Sequence, residues 1–137
     1  MKTPILTAQH CQALGRWLTQ YTKKDKLNPV CLAITNPEGA LQYFLRQDHA
    51  PLRTIAIAQA KAYTATRMGT STLAFQKRLQ VENLQLQDFV DSQLCSLPGG
   101  IPLYLDTLLI GGLGISGRSL KEDHALASLL SSKSPTI

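Results

Sequence analysis

The chain has 137 residues, of which 44% are hydrophobic and 17% are charged. This length and balance allow one domain with a substantial core and exclude a disordered chain. No apolar run reaches the roughly 18 residues of a membrane-spanning helix, so no membrane partner is expected. We therefore predict a single domain over residues 1–137, with residues 131–137 as a frayed tail.

The formal net charge of +5 raises the question of nucleic-acid binding. The basic residues are scattered along the chain, and the densest cluster, residues 23–26, contains an acidic residue. Aromatic residues are not interleaved with this cluster, as base stacking would require. The charge therefore indicates a solvated surface, and no nucleic-acid partner is expected.

Three cysteines, Cys11, Cys31 and Cys95, lie in apolar stretches without the spacing of metal ligands. Buried free thiols are typical of proteins in a reducing compartment. The first residues also lack the apolar core and the cleavage site of a signal peptide. These features together predict a cytoplasmic protein.

The first predicted helix begins after Thr7, a favourable N-cap residue. At about 100° per residue, His10, Trp17 and Tyr21 fall on one strip along the edge of its apolar face. His10 has two interpretations at this stage. It is either a partly packed, hydrogen-bonded histidine at the helix start or an axial ligand in a flat apolar pocket beside Trp17.

A hairpin follows, with strands predicted at residues 30–34 and 41–45 around a turn at residues 36–39. The second predicted helix, residues 53–68, is apolar around nearly its whole circumference and contains five alanines. Such a helix is buried on more than one side. The sheet would cover one side, and a second subunit or a ligand would cover the other.

Lys61 lies on this second helix, away from any polar stripe. Its ammonium group either extends to water along an apolar stem or neutralises an acidic group in a pocket. Ser71 and Thr72 predict the cap of a third helix that ends near Leu79. Beyond it, the sequence predicts only a helical turn near residues 86–90 and a short extended piece at residues 93–97.

The most distinctive stretch is a glycine-rich hairpin that starts at Gly99 and Gly100 and continues through Gly112 and Gly114. Glycine weakens a strand, so this density indicates that another backbone or a ligand comes too close for a Cβ atom. Ser116, in the same stretch, is interpreted as a serine that bonds the backbone at a turn.

Two familiar motifs occur in the second strand of this hairpin. The spacing of Gly112, Gly114 and Gly117 matches the dinucleotide-binding fingerprint, but these glycines lie inside a strand, and only one more helix follows. The segment 114–117 also lacks the last spacing of a nucleophile elbow. Neither nucleotide binding nor a serine nucleophile is therefore favoured.

A capping box of Ser119 and Glu122 opens the final predicted helix. The order of elements is then helix, hairpin, two helices, hairpin and helix. This order predicts an α+β domain in which both hairpins join one antiparallel sheet with helices packed on it.

With these elements in place, the chain resembles the GlcG/HbpS-like family over about residues 7–130. The residues that carry the resemblance are residues 60–65, residues 99–102, residues 112–117, and Glu122 and Asp123 with Ala127. Members include glycolate-utilisation accessory proteins, extracellular haem-binding sensors and the C-terminal domain of propanediol-utilisation corrinoid adenosyltransferases.

The resemblance implies a profilin-like antiparallel sheet of about five strands flanked by helices. It also implies a homo-oligomer, from dimers to octamers. Some members bind haem, with a weak haem-degrading activity proposed, and others are associated with B12-dependent diol or glycerol dehydratases. We therefore expect a haem- or tetrapyrrole-binding accessory protein of a catabolic operon, with haem as cofactor and a corrinoid as the alternative.

The pocket predicted for this cofactor combines residues from distant parts of the chain, with His10 as the metal ligand. Its members are His10, Trp17, Lys61, Gly99, Gly100, Gly112, Gly114 and Ser116. A second hypothesis is an oligomeric interaction module without chemistry that serves a dehydratase or another operon protein. A third and weaker one is an enzyme for a small carboxylated metabolite, with Lys61, Glu122 and Asp123 as its charged participants.

Overall fold

The computed structural model describes residues 5–134 of the chain. Within that range every predicted helix and both predicted hairpins are present, and the α+β fold class is confirmed. The elements are, in chain order, α1 (Ala8–Thr22), β1 (Cys31–Thr35), β2 (Leu41–Arg46), α2 (Arg53–Met68), α3 (Thr72–Glu82), a 3-10 turn (Leu86–Phe89), β3 (Gly100–Leu105), β4 (Leu108–Ser116) and α4 (Leu120–Ser131).

The two hairpins form one antiparallel sheet with the strand order β2-β1-β4-β3. Its central pair, β1 and β4, runs from Cys31 opposite Ser116 to Thr35 opposite Gly112. The described residues contain four strands, one fewer than the approximate number implied by the resemblance. The piece predicted at residues 93–97 is not a strand because its backbone turns to α2, where the N–H of Cys95 donates to Thr64 Oγ1 at 2.8 Å.

Alternation along β1 separates two apolar layers, as expected for a strand that is covered on both faces. Leu32 and Ile34 pack in the main core with α1 and α4, whereas Cys31 and Ala33 pack against α2. The helices contribute to the main core Cys11, Leu14, Leu18, Leu126, Ala127 and Leu130. Consequently α1 and α2 lie on opposite faces of the sheet, and this placement decides which residues can share a site.

Three helix starts follow the capping signals of the sequence, whereas α2 has no side-chain cap and α3 continues to Glu82, past the end predicted near Leu79. Thr7 caps α1, Ser71 caps α3 through a bond from the N–H of Ala74, and Ser119 with Glu122 forms the capping box of α4. At the C-terminal end of α4, Ser131 is the last helical residue, and the N–H of Lys133 donates to the carbonyl of Leu130 at 2.9 Å. The rest of the expected tail, residues 135–137, lies outside the described residues.

The three thiols are free; Cys11 and Cys31 are buried, while Cys95 is half-buried. Burial raises the pKa of the Cys11 thiol to about 11. Among residues 5–134, no group of three or more histidine, cysteine or acidic side chains could hold a metal ion. Within the same range, no helix combines the length and the apolarity that crossing a membrane would need.

Candidate functional site

Four glycines of the second hairpin, Gly99, Gly100, Gly112 and Gly114, lie directly against α2. A Cβ atom at Gly114 would stand 2.6 Å from the backbone nitrogen of Ala62, and one at Gly99 would stand 2.8 Å from Lys61 Nζ. At Gly100 a Cβ would meet the carbonyl oxygen of Lys61, and at Gly112 the hydroxyl of Thr66. The close neighbour required by the glycine pattern is therefore a helix of the same chain.

Of the two neighbours expected against the hairpin, another backbone or a ligand, the structure shows a backbone, that of α2. All four glycines and Ser116 are buried, and α2 fills the space in front of the glycines. The physical reason is that small residues on both α2 and the strands let two backbones approach until a Cβ no longer fits. The glycines serve helix–sheet packing.

Lys61 does not extend to water, because its side chain is fully buried. Its Nζ donates to the carbonyl oxygen of Ile115 at 2.8 Å and to Asp123 Oδ2 at 3.0 Å. The acidic partner thus belongs to α4 of the same chain, and the pair joins α2 to α4 past the end of β4. The ammonium group is therefore not accessible to a carboxylate group of a bound cofactor.

Asp123, like Lys61, is buried and hydrogen-bonded to the backbone. Its Oδ1 accepts the backbone N–H of Arg118 at 3.0 Å, and the residue is 1% exposed. Burial raises the pKa of this carboxyl, while the Lys61 ammonium and the N–H of Arg118 oppose the rise. Glu122 is equally engaged, since its Oε1 accepts the N–H of Ser119 at 3.1 Å. The charged participants of the enzyme hypothesis are therefore all bound in structural contacts.

His10 forms a capping box with Thr7 at the start of α1. The N–H of Thr7 donates to His10 Nδ1 at 3.1 Å, and the N–H of His10 donates to Thr7 Oγ1 at 3.1 Å. The imidazole takes the place of the glutamate or glutamine that usually closes such a box. Its Nε2 forms no hydrogen bond within residues 5–134, so one ring nitrogen is left for a ligand.

Trp17 lies two turns further along α1 on the same strip, about 10 Å from His10 along the helix axis. Its ring stacks on Tyr21 with centroids 4.8 Å apart, and the ammonium group of Lys133 lies 5.4 Å from its centroid. A shallow recess of about 530 Å³ opens here, lined by Trp17, Gln20, Tyr21, Lys24 and Asp25; His10 is not among its lining residues. The strip is half-exposed and combines aromatic surface with positive charge.

The predicted pocket is not assembled within one protomer. His10 and Trp17 lie on α1, on one face of the sheet, and Lys61 lies on α2, which packs against the other face. The sheet separates the two groups. The residues predicted to form one cofactor pocket therefore belong to two separate places, the half-exposed strip on α1 and the buried contact between α2 and the hairpin. Helical periodicity identifies a face of each helix, but it does not reveal which face of the sheet that helix covers.

Comparison with known proteins decides the family. The model of the family described as "Haem degrading protein HbpS-like" matches residues 6–129. The chain belongs to the HbpS-like family. It is 33% identical over 101 residues to the corrinoid adenosyltransferase PduO of Salmonella typhimurium, a match that covers 72% of this chain and 30% of PduO. The chain thus spans less than a third of the length of the curated adenosyltransferases that it matches.

Solved structures agree with this HbpS-like fold. The structure of a PduOC:haem complex superposes with a TM-score of 0.81 at 27% identity and covers 91% of each chain. A double mutant of HbpS from Streptomyces reticuli gives a TM-score of 0.84 at 25% identity, with 96% of this chain and 88% of the other covered.

Sequence reasoning missed two features of this HbpS-like domain. The hydroxyl of Tyr63 donates to Asp91 Oδ2 at 2.7 Å, beside a groove of about 510 Å³ between α2, the first hairpin and residues 92–94. The bond lowers the pKa of Asp91 and raises that of Tyr63. His124 on α4 has a buried Nδ1 without a hydrogen-bond partner among the described residues. Neither feature has a local signal, because contacts between distant segments create both.

Proposed function

We propose that this HbpS-like domain binds haem and that His10 is the axial ligand of the iron. The observation that carries the proposal is the Nε2 of a half-buried histidine, which forms no hydrogen bond with residues 5–134 and lies on the same strip as the Trp17–Tyr21 stack. Imidazole nitrogen is a common axial ligand of haem iron. The family description and the PduOC:haem complex support haem over other planar ligands.

The residues present fit this group. Trp17 and Tyr21 offer aromatic surface, and Lys133 lies near the Trp17 ring. Lys24 lines the recess together with Asp25, whose carboxylate is paired with Arg118, so Lys24 and Lys133 are the cations that would bind the carboxylates of a porphyrin. Bound haem would supply the redox chemistry of its iron. The chain would supply a nitrogen ligand, apolar contact and charge neutralisation. A corrinoid is the alternative tetrapyrrole, and it would use the same nitrogen.

The proposed site is open on its outer side, because the recess beside Trp17 is a shallow surface feature. A second copy of the chain that covers α1 would enclose the ligand, which is why we propose a homo-oligomer. The likeness to part of PduO supports a role as an accessory protein in a catabolic operon, with a dehydratase or another operon protein as partner. Three free thiols support a cytoplasmic location.

Titration of the purified apo-protein with haemin tests the proposal. We expect a saturable shift of the Soret band in the wild type and its loss in His10→Gln. This replacement keeps the capping box, since glutamine is a normal residue at that position, so a loss reports the ligand rather than the helix. His49→Gln, at an exposed loop histidine, is the matched control and should bind as the wild type does.

Two results would contradict the proposal. A wild-type titration without saturation would exclude haem binding. Binding that survives His10→Gln and is lost in His124→Gln would move the axial ligand from α1 to α4.

A second function, an oligomeric interaction module, is favoured by the apolar surface beside the α2 groove. Leu41, which is 49% exposed, and the exposed Ala56 both line the groove, and Leu52 at the start of α2 is 74% exposed. We propose a second copy of the chain as the occupant. Native mass spectrometry should show an oligomer that Ala56→Glu dissociates and Val81→Glu, on the distant and exposed part of α3, leaves intact. A wild-type monomer would contradict this function.

A further inference from the structure

The capping box of α1 determines which nitrogen of His10 carries the proton. The backbone N–H of Thr7 can only donate, so Nδ1, 3.1 Å away, must offer its lone pair. A neutral imidazole carries a single N–H, which is then on Nε2. The nitrogen that is free to reach an iron is therefore the protonated one in the unliganded chain.

Coordination through Nε2 requires the opposite tautomer. The proton must leave Nε2 and move to Nδ1, which conserves the charge of the ring and turns Nδ1 into a donor. Nδ1–H would then face the N–H of Thr7, and two donors cannot bond each other. The bond between Thr7 and Nδ1 consequently has to break before Nε2 binds iron, and Nδ1–H must turn to another acceptor.

We propose that haem ligation by His10 and the capping box of α1 exclude each other, so that Thr7 is a positioning residue that tunes iron binding. This inference rests on the proposed function. Thr7 acts through the ring nitrogen of His10 and touches no ligand itself.

Contacts on both sides of the Thr7–His10 capping box confine its opening to one turn of α1. Just before Thr7, Leu6 is 4% exposed in the core and its carbonyl accepts a bond from Gln42 Nε2 at 2.7 Å. Just after His10, Cys11 is fully buried, and its N–H donates to the carbonyl of Thr7 at 3.0 Å. The chain is thus anchored on both sides, so ligation releases the box without unfolding α1.

Two variants at one position isolate the competing N–H. Thr7→Pro removes both the N–H and the hydroxyl, and the φ of −91° at Thr7 lies about 10° outside the range of roughly −80° to −50° that proline adopts. Thr7→Val removes only the hydroxyl and is the matched control. We expect Thr7→Pro to bind haemin about fivefold more tightly than Thr7→Val, the equilibrium equivalent of one net hydrogen bond. Equal or weaker binding by Thr7→Pro would overturn the inference.

A second measurement needs no variant. Nitrogen NMR of wild-type protein labelled at histidine should show His10 protonated at Nε2 without haem and at Nδ1 in the diamagnetic ferrous carbon monoxide complex. Protonation at Nδ1 in the apo-protein would overturn the inference even where haem binding through His10 holds. A wild type that binds no haemin would overturn the proposed function and the inference together, and the two failures are therefore distinguishable.

Discussion

The two faces of the sheet use chemistry-bearing residues in opposite ways. Where α2 meets α4 at the end of β4, Lys61 and Asp123 are sealed from water and bonded to each other and to backbone groups. On α1, His10 keeps a free ring nitrogen, and Trp17 and Tyr21 present partly exposed rings. The residues that carry the family resemblance mostly build the sealed junction. Family motifs in this chain therefore mark how the fold closes, while the proposed ligand site lies elsewhere.

The largest effect should come from breaking the sealed ion pair. Lys61→Met leaves Asp123 buried without its cation and should lower the free energy of unfolding by about 3–5 kcal/mol. The double variant Lys61→Met with Asp123→Asn removes both charges and should recover much of that loss. Urea unfolding at neutral pH measures both. A single variant that costs less than about 1 kcal/mol would show that the junction does not depend on the pair.

The next largest effect on stability should come from adding one methyl group to a glycine, and this effect should differ between the two faces of the sheet. Gly114→Ala drives a Cβ into the backbone of α2 and should cost about 1–3 kcal/mol. Gly15→Ala on α1 meets only the end of the Tyr43 side chain, which can move, and it gains helix propensity. Urea unfolding should therefore rank Gly114→Ala well below Gly15→Ala. Equal losses would contradict the difference in packing between the faces.

A smaller and pH-dependent effect is expected at Tyr63. Tyr63→Phe removes the bond to Asp91 and should cost about 1 kcal/mol at neutral pH. The bond with Tyr63 is the main cause of the lowered pKa of Asp91. Its stabilisation is therefore present above the unfolded pKa of about 3.9 and is lost as the pH falls through the lower folded value. Unfolding of both proteins near pH 6 and near pH 3 should show the difference shrinking in acid; a constant difference would contradict this linkage.

The smallest effect on stability should appear at the proposed ligand itself. His10→Ala removes one half of the capping box and should cost about 1 kcal/mol, while His10→Gln should stay within about 0.5 kcal/mol of the wild type. Thermal unfolding without haemin separates the two variants. If both lose the same amount, the imidazole has a packing role that glutamine does not reproduce.

Much of the fold could be predicted because its signals are local. Thr7, Ser71 and Ser119 start helices through bonds to residues three positions away, and the turn at residues 36–39 depends on its own residues. The site was harder to predict. Lys61 and Asp123 are 62 residues apart, and their pairing follows from α2 and α4 meeting at the end of β4, which no local pattern encodes.

Residue pattern alone determined the fold class, the starts of the three capped helices and the presence of a close neighbour against the glycines, since periodicity, capping and the absent Cβ are properties of short segments. Only the tertiary structure decided that this neighbour is α2 and that His10 and Lys61 are on opposite sides of the sheet. The physical reason is that strand order places each helix on one face, and strand order depends on pairing between segments far apart in the chain.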